Sequence, residues 1–349
     1  MQPSLDQVTA LITGGAGFIG ANLADRLLSQ GARVIVYDNL SRPGTPGNLD
    51  WLRARWGEAR LSLVQGDVRD AAALAQAART ADRFYHLAGQ VAVTNSVRDP
   101  RRDFEDNAIG TFNALEAARG APTPPIFLYA STNKVYGGME EAVIVAEEDR
   151  YAYRDLPFGV SEKQPLDFHS PYGCSKGAGD QYTRDYARIY GLRTIVLRQS
   201  CIYGYRQLGL EDQGWLAWFM IAALKHRPIT IYGDGKQVRD VLFIDDLLDA
   251  YEAAIGAIDR TAGHVYNIGG GPQNTLSIWQ EFGRYLADLL GRPVPVQFAD
   301  WRPGDQRVYV SDIRQAYHDF GWAPRLDPPA GLRRLFDWLQ ANLSLFDRW

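Results

Sequence analysis

The stretch "VTALITGGAGFIGANLADRLLSQG", residues 8–31, decides the fold. Its start, "VTALITG", is a short apolar run that reads as a buried strand. Its end, "IGANLADRLLSQG", has helical periodicity and a closing Gly. Between them Gly14, Gly17 and Gly20 recur as G-x-x-G-x-x-G. Glycines there allow a tight turn and a close backbone approach to a pyrophosphate, which the helix N-terminus then stabilises. A tight turn with no ligand is the alternative reading, and the position between strand and helix argues against it.

The same alternation continues outward. "RVIVYD" (33–38), "LSLVQGD" (61–67), "RFYHLAG" (83–89), "IFLYAST" (126–132) and "RTIVLRQ" (193–199) read as further strands, with helix-like segments between them. Their nearly continuous apolar character suits strands buried on both faces. Strand–helix alternation at this spacing predicts an α/β fold, a Rossmann-type doubly wound parallel sheet. After about residue 200 the pattern loosens. "YGYRQLGLEDQGW" reads as a loop, "WLAWFMIAALKHRP" as a helix ended by Pro, and "HVYNIGGG" (264–271) as one more strand. Helices are expected at 276–290 and near 329–343. The expected organisation is a dinucleotide domain over 1–199 with a return segment near 236–270. A smaller mixed α/β substrate domain is expected from 200–235 and 271–349.

Bulk properties exclude several classes. A 349-residue chain with 46% hydrophobic and 22% charged residues is an ordinary globular protein of one large or two coupled domains. A net charge of −4 gives no reason to expect nucleic-acid or membrane attraction. No apolar run approaches the roughly 20 residues of a membrane-spanning helix. Cys174 and Cys201 cannot build a disulfide framework, so a cytoplasmic location is expected. The five histidines lack the paired spacing of a zinc site, and no metal is expected.

Asp38 ends the second strand close to the distance downstream at which a carboxylate meets the adenosine ribose. It would bind both hydroxyls and repel a 2′-phosphate, which favours NAD over NADP. Asn39, Leu40 and Ser41 follow where they could touch the adenosine, and Arg42 is a nearby cation able to accommodate a phosphate. Asp67, in "GDVRD", is either a partner for the adenine amino group or an ordinary strand-end turn carboxylate. Further on, "HSPYGCSKGAGDQY" (169–182) contains Tyr172 and Lys176, a Y-x-x-x-K spacing that places both on one helix face. Alone, that spacing arises often by chance.

Taken together, the motifs point further. "TGGAGFIG", "DNLSR", "GDVRD", "HLAG", "NAIGT", "ASTNKVYG", "SPYGCSKG", "RQSCIYGYRQ", "IYGDGKQVRDVLFIDD", "YNIGGG" and "RPGDQRVYVSD" occur in the order found in the extended short-chain dehydrogenase/reductases. The chain resembles that family over essentially its full length. The resemblance implies tightly bound NAD contacted by Gly14, Gly17, Phe18, Ile19, Asp38, Asn39, Ser41, Asp67, Val68, Leu87, Ala88, Gln90, Asn107, Tyr172 and Lys176. Asn107 is read equally well as an ordinary helix-interior amide. Tyr172 would be the base, and the acid on the return step. A free Tyr with a pKa near 10 is too weakly ionised for this, so Lys176 and the nicotinamide charge would favour the phenolate. Thr132 would bridge sugar and Tyr172.

In the family's dehydratases the run after this Thr is Asp-Glu, an acid and a base. Here it is Asn133-Lys134. An amide is no general acid and a Lys carries the wrong charge, so dehydration is not expected. What remains is epimerisation by transient oxidation. A finer resemblance, carried by "HLAGQVAVTNSV", "STNKVYG", "HSPYGCSKG" and "RQSCIYGYRQLGLEDQGW", is to epimerases acting at C2 of CDP-linked sugars. It implies Arg239 and Arg302 on the diphosphate and Tyr232 against the base, with a homodimer formed by helices near 104–118 and 174–190. Gln90, Asn133, Lys134, His169, Cys201, Glu211 and Gln213 would line the substrate, with a surface-loop reading beside Gln90, His169, Glu211 and Gln213 and a buried-filler reading beside Cys201. A 4-epimerase of a UDP- or GDP-hexose and a non-catalytic NAD sensor are the alternatives.

Overall fold

The computed structural model describes residues 5–209, 213–302 and 305–347. The central element is a seven-stranded parallel sheet. Its first strands are β1 (Thr9–Thr13), β2 (Arg33–Asp38), β3 (Leu61–Gln65), β4 (Arg83–His86) and β5 (Ile126–Thr132), followed by Thr194–Gln199 and His264–Ile268. In space the order runs β3, β2, β1, β4, β5, then the two later strands. The order reverses between β1 and β4, the switch point at which such sheets hold ligands beyond their carboxyl ends. Register brings those ends level, since Thr13 pairs with Tyr37 on one side and with His86 on the other. Thr13, Asp38, His86 and Thr132 thus close their strands along one edge.

The strands are buried as their composition demands. Leu11, Phe84, Phe127, Tyr129 and Val196 have almost no exposure and form one core with Leu74 of the helix Ala71–Ala78. Burial at roughly 25 cal/mol per Å2 of apolar surface is the main force holding these layers together.

The chain divides into two compact units, the first built from residues 1–135, 170–198 and 251–265, the second from 136–169, 199–250 and 266–349. In the second unit, Val238–Phe243 pairs in parallel with Cys201–Tyr203 and with Val308–Tyr309, and antiparallel with Thr275–Ser277. Strands Thr230–Tyr232 and Gln297–Ala299 pair in parallel, and Ile144–Ala146 forms a hairpin with Tyr151–Tyr153 that the sequence did not announce.

Two helices differ from the expected ones. The segment expected as a helix from 276 begins as a strand, and the helix runs only over Phe282–Leu290. Ser277 and Glu281 exchange side-chain and backbone hydrogen bonds (2.8 and 2.7 Å) across the turn between them, which holds the chain out of helix there. The helix expected near 104–118 is interrupted. Pro100–Phe104 and Gly110–Arg119 are α-helical, and Glu105–Ile109 is a π turn. Such turns widen a helix by one residue and are frequent at functional sites.

Candidate active site

The glycine turn fits a dinucleotide. Gly14 has φ +68°, and a Cβ on it would lie 2.9 Å from the backbone of Ala88. A Cβ on Gly20 would lie 2.3 Å from the Gly14 carbonyl and 2.6 Å from the Gly15 Cα, so helix and turn touch backbone to backbone. The helix α1 (Phe18–Ser29) follows with Gly17 as N-cap and no side chain capping its first turn. Its first amides therefore remain available to phosphate oxygens.

Asp38 is buried beside this turn. Its carboxylate accepts from the Ala16 N–H (3.0 Å) and the Leu40 N–H (2.8 Å). Burial pushes its carboxyl above the usual range, and those two N–H groups pull it back. Asn39 donates to Asp67 (3.1 Å) and its Oδ1 accepts from the Ser41 N–H (3.0 Å). Asp67 also accepts from the Arg69 backbone N–H (3.0 Å) and twice from its guanidinium (2.8 and 2.7 Å). The Arg69 hydrogen bond holds the Asp67 carboxyl well below the usual range despite partial burial. With four donors, its acceptor positions are filled by protein. These groups fit an adenosine dinucleotide, with a pyrophosphate on α1 and a carboxylate at the ribose.

The catalytic candidates are all in the first unit. Tyr172 and Lys176 lie on the helix α7 (Ser170–Tyr190). The helix begins at a Ser-Pro pair, and the Ser170 hydroxyl accepts from the Gly173 N–H (3.2 Å). Ser at a cap and Pro in the first turn are favoured because that turn's N–H groups lack helical partners. Both catalytic candidates are buried. Thr132, at the end of β5, places its side chain beside the Tyr172 phenol. Burial pushes that phenol up to about 12, which the Thr132 contact opposes. Lys176 donates from Nζ to the Ala130 carbonyl (2.6 Å), and its ammonium stands 4.2 Å above the Tyr129 ring. Burial lowers its pKa to about 7. Asn133 is buried and accepts from the Thr132 hydroxyl (3.3 Å), while Lys134 donates its backbone N–H to the same oxygen (3.2 Å). Three buried polar side chains, Thr132, Tyr172 and Lys176, thus meet where β5 ends over α7.

Asn107 occupies the centre of the π turn. Its Nδ2 donates to Asp103 (3.1 Å) and to the Ser175 hydroxyl (3.1 Å), while its Oδ1 is buried without a protein donor. Gln90 donates to Asp103 (2.8 Å) and to the Ala92 carbonyl (2.7 Å). Neither Asp103 nor Ser175 was singled out from the sequence. The available signal was spacing, since Asp103 lies four residues before Asn107 and Ser175 lies between Tyr172 and Lys176. His86 is also fully enclosed, joined to Thr13 (2.8 Å) and Thr111 (3.1 Å) through its two ring nitrogens. Burial lowers its pKa to about 3, so it is neutral at physiological pH.

In the second unit the Arg302 guanidinium lies 3.9 Å from the Tyr232 ring centroid. Arg239 is buried, and pairs with Asp305 (2.7 Å). His169 is half exposed and pairs with Asp167 (2.9 Å). Cys201 is a partly buried residue of the strand beside Val241, and Gln213 is partly buried too. Glu211 lies outside the described residues. No metal-ligating cluster occurs among the described residues.

The NAD dependent epimerase/dehydratase family matches residues 10–269. The chain belongs to that family. It is 44% identical over 335 residues to the CDP-paratose 2-epimerase of Salmonella typhi, covering 94% of this chain and 98% of the relative. It is 31% identical over 331 residues to the UDP-glucose 4-epimerase of Mycolicibacterium smegmatis, covering 95% and 98%. In structure it resembles the dTDP-glucose 4,6-dehydratase of Streptomyces venezuelae solved with NAD bound. That likeness has a TM-score of 0.84 and 29% identity, and covers 98% of this chain and 99% of the other. NAD is accordingly the cofactor of this enzyme.

Proposed function

We propose that this protein is a CDP-sugar 2-epimerase, inverting C2 of a CDP-linked deoxyhexose such as paratose or tyvelose. The observation that carries the reading is the set Thr132, Tyr172 and Lys176 followed by Asn133 and Lys134. It supplies one proton-transfer residue at one carbon and no acid–base pair for loss of water. The 44% identity to a CDP-paratose 2-epimerase, against 31% to a UDP-glucose 4-epimerase, supports C2 over C4.

In this mechanism Thr132 holds the C2 hydroxyl against the Tyr172 oxygen. The phenolate takes the hydroxyl proton as the C2–H bond breaks. Bound NAD supplies the hydride acceptor, the later donor, and a positive nicotinamide that favours the phenolate. The 2-keto sugar presents its opposite face, and Tyr172 returns the proton to the new alkoxide. Lys176 holds the nicotinamide ribose and keeps a positive charge near the phenol. Asn133 fixes the Thr132 hydroxyl. Arg239 and Arg302 suit the diphosphate because guanidinium offers planar paired donors. Tyr232 lies under Arg302 and is assigned to the nucleobase end.

Substrate carrying deuterium at C2 tests the reaction type. Product that keeps deuterium at C2, in water and with no added cofactor, is expected. Deuterium lost to solvent would mean deprotonation at C2 and would remove the redox mechanism.

The protein is also assigned a homodimeric state and a cytoplasmic location. Ile109, Phe112, Tyr182, Ile189 and Tyr190 expose large apolar surfaces on Glu105–Arg119 and α7, which helix pairing between copies would cover. No helix among the described residues is long and apolar enough to cross a membrane.

A further inference from the structure

Asp180 and Arg198 form a buried ion pair inside the first unit. Asp180 lies on α7 and Arg198 on the strand Thr194–Gln199. Arg198 donates from Nε to Oδ2 and from Nη2 to Oδ1 of Asp180, both at 2.9 Å. Oδ2 also accepts from the Ser131 hydroxyl (2.7 Å), and Oδ1 from Gln181 Nε2 (2.8 Å). A guanidinium only donates, so Asp180 is the acceptor throughout and the Ser131 proton points at it. A buried ion pair is often no more stabilising than apolar side chains of the same volume, so stability alone does not account for it. What the paired guanidinium–carboxylate contact adds is a fixed angle between the two groups.

Ser131 is where that angle matters. Tyr172, Lys176 and Asp180 are spaced four residues apart on one face of α7, and all three meet the end of β5. Lys176 donates from Nζ to the Ala130 carbonyl (2.6 Å), Asp180 takes the Ser131 hydroxyl, and Tyr172 lies beside Thr132. Ser131 joins the other two contacts. The Ala130 carbonyl and the Ser131 Cα share one planar peptide, and the next peptide leads to Thr132. Turning Ser131 therefore tilts the carbonyl that receives Lys176 and shifts the hydroxyl beside Tyr172. Pairing with β4 ends at Tyr129, one residue before this stretch, so the neighbour on that side does not hold it. We propose that Asp180 is a positioning residue for the redox pair: oriented by Arg198, it holds Ser131, and through Ser131 it sets Ala130 against Lys176 and Thr132 against Tyr172. The proposal rests on Tyr172 and Lys176 being the redox pair and not on which sugar they act upon.

The remaining contacts at this junction do not serve the role. The Tyr129 hydroxyl donates to the Lys176 carbonyl (3.2 Å), and a Cβ on Gly179 would lie 2.5 Å from that hydroxyl. These set how closely the helix approaches the strand. They act on the backbone of α7 and on a strand residue already paired with His86. Asn133 and the Lys134 N–H bond the Thr132 hydroxyl and leave Ser131 alone. Among the described residues, Asp180 is the one partner of the Ser131 hydroxyl.

The test uses the holoenzyme and reads position and turnover separately. The chain has only five lysines, Lys134, Lys163, Lys176, Lys225 and Lys236. With 13C at the lysine Cε each gives an NMR signal, and Lys176→Arg assigns the one that matters. The Lys176 ammonium stands 4.2 Å from the Tyr129 ring centroid, so ring current makes the shift of its Cε–H groups a gauge of its seat. Ser131→Ala removes the link and leaves the Asp180–Arg198 pair in place. The expected result is bound NAD as in wild type and a displaced Lys176 signal, with Lys163, Lys225 and Lys236 unmoved. With CDP-paratose, kcat should fall by roughly 10–100-fold with little change in KM. Ser131→Thr restores the hydroxyl and should return both signal and kcat toward wild type. A Lys176 signal that stays in place, or one that moves with kcat unchanged, would overturn the proposal. Should Ser131→Ala not fold, Ser131→Cys weakens the same bond and is read the same way. Failure of both to fold would make Ser131 a folding residue and overturn the role as well. The Lys176 signal is read without turnover, so an active Tyr172→Phe, which would remove the redox-pair reading, is told apart from failure of this one. Should the sugar be inverted at C4, UDP-glucose replaces CDP-paratose in the same assay.

Discussion

At the scale of single residues, Tyr172 shows how far a side chain can be moved from its ordinary chemistry. Burial pushes its phenol up to about 12, so without a bound positive charge it is a poor base at neutral pH. Replacing it with Phe removes the proton carrier and little packing. Turnover of Tyr172→Phe should fall by roughly 10²–10⁴-fold, the usual worth of a general base. Retained NAD, read from the absorbance of the purified protein, would show that the site is otherwise intact. His86 gives the pH dependence of stability. Its folded pKa of about 3 lies below the usual 6.5, so between those values the unfolded chain binds the extra proton. The stabilisation is full above 6.5 and is lost as pH falls toward 3, at up to about 1.4 kcal/mol per pH unit. His86→Gln can still bond both Thr13 and Thr111. Thermal melts between pH 7 and 4 should therefore fall less steeply for that variant than for wild type. The sequence placed Thr132, Tyr172 and Lys176 in one motif set. For Asp103 it offered only the four-residue spacing to Asn107, because a buried carboxylate looks like a surface one until its neighbours from two other segments are known.

At the scale of elements, the turn between β1 and α1 and the seat of α7 hold the groups proposed for cofactor binding and proton transfer. Gly20→Ala would place a Cβ within 2.6 Å of two backbone atoms of the glycine turn, and backbone cannot rotate away as a side chain can. The variant should fold but lose most of its bound NAD, seen as a lowered ratio of absorbance at about 260 to 280 nm. Strands β1, β2, β4 and β5 were legible because strands buried on both faces are nearly apolar throughout, while β3, at the sheet edge, exposes Ser62 and Gln65. The π turn was not legible. Its residues, Glu105–Ile109, have unremarkable helical propensity, and the wider turn is recognised only in the backbone hydrogen bonds. The helix expected from 276 failed for a local reason, the Ser277–Glu281 exchange, which competes with helical hydrogen bonding.

At the scale of the whole molecule, the apolar faces of Glu105–Arg119 and α7 set the expected assembly. Phe112 and Tyr182 meet edge to face at 6.1 Å, and both are more than 40% exposed. Light scattering should give twice the mass of one chain, and Phe112→Asp should shift it toward one. A wild-type monomer at micromolar concentration would remove the dimer assignment. The parallel sheet and the glycine turn could be anticipated because strand–helix alternation and glycine spacing are local. The partners of Gln90, His169, Cys201 and Gln213 could not, because these residues come from loops and edges with no periodicity to mark their neighbours. Gln90 shows the consequence, since its amide is spent on Asp103 and the Ala92 backbone.

The most direct measurement is the NMR spectrum of the sugar after incubating the purified protein with CDP-paratose or CDP-tyvelose, without added NAD. Appearance of the C2 epimer, approaching the same mixture from either side, is the expected result. No change in these sugars, together with inversion at C4 of a UDP-hexose, would keep Tyr172 as the proton carrier and contradict the 2-epimerase assignment.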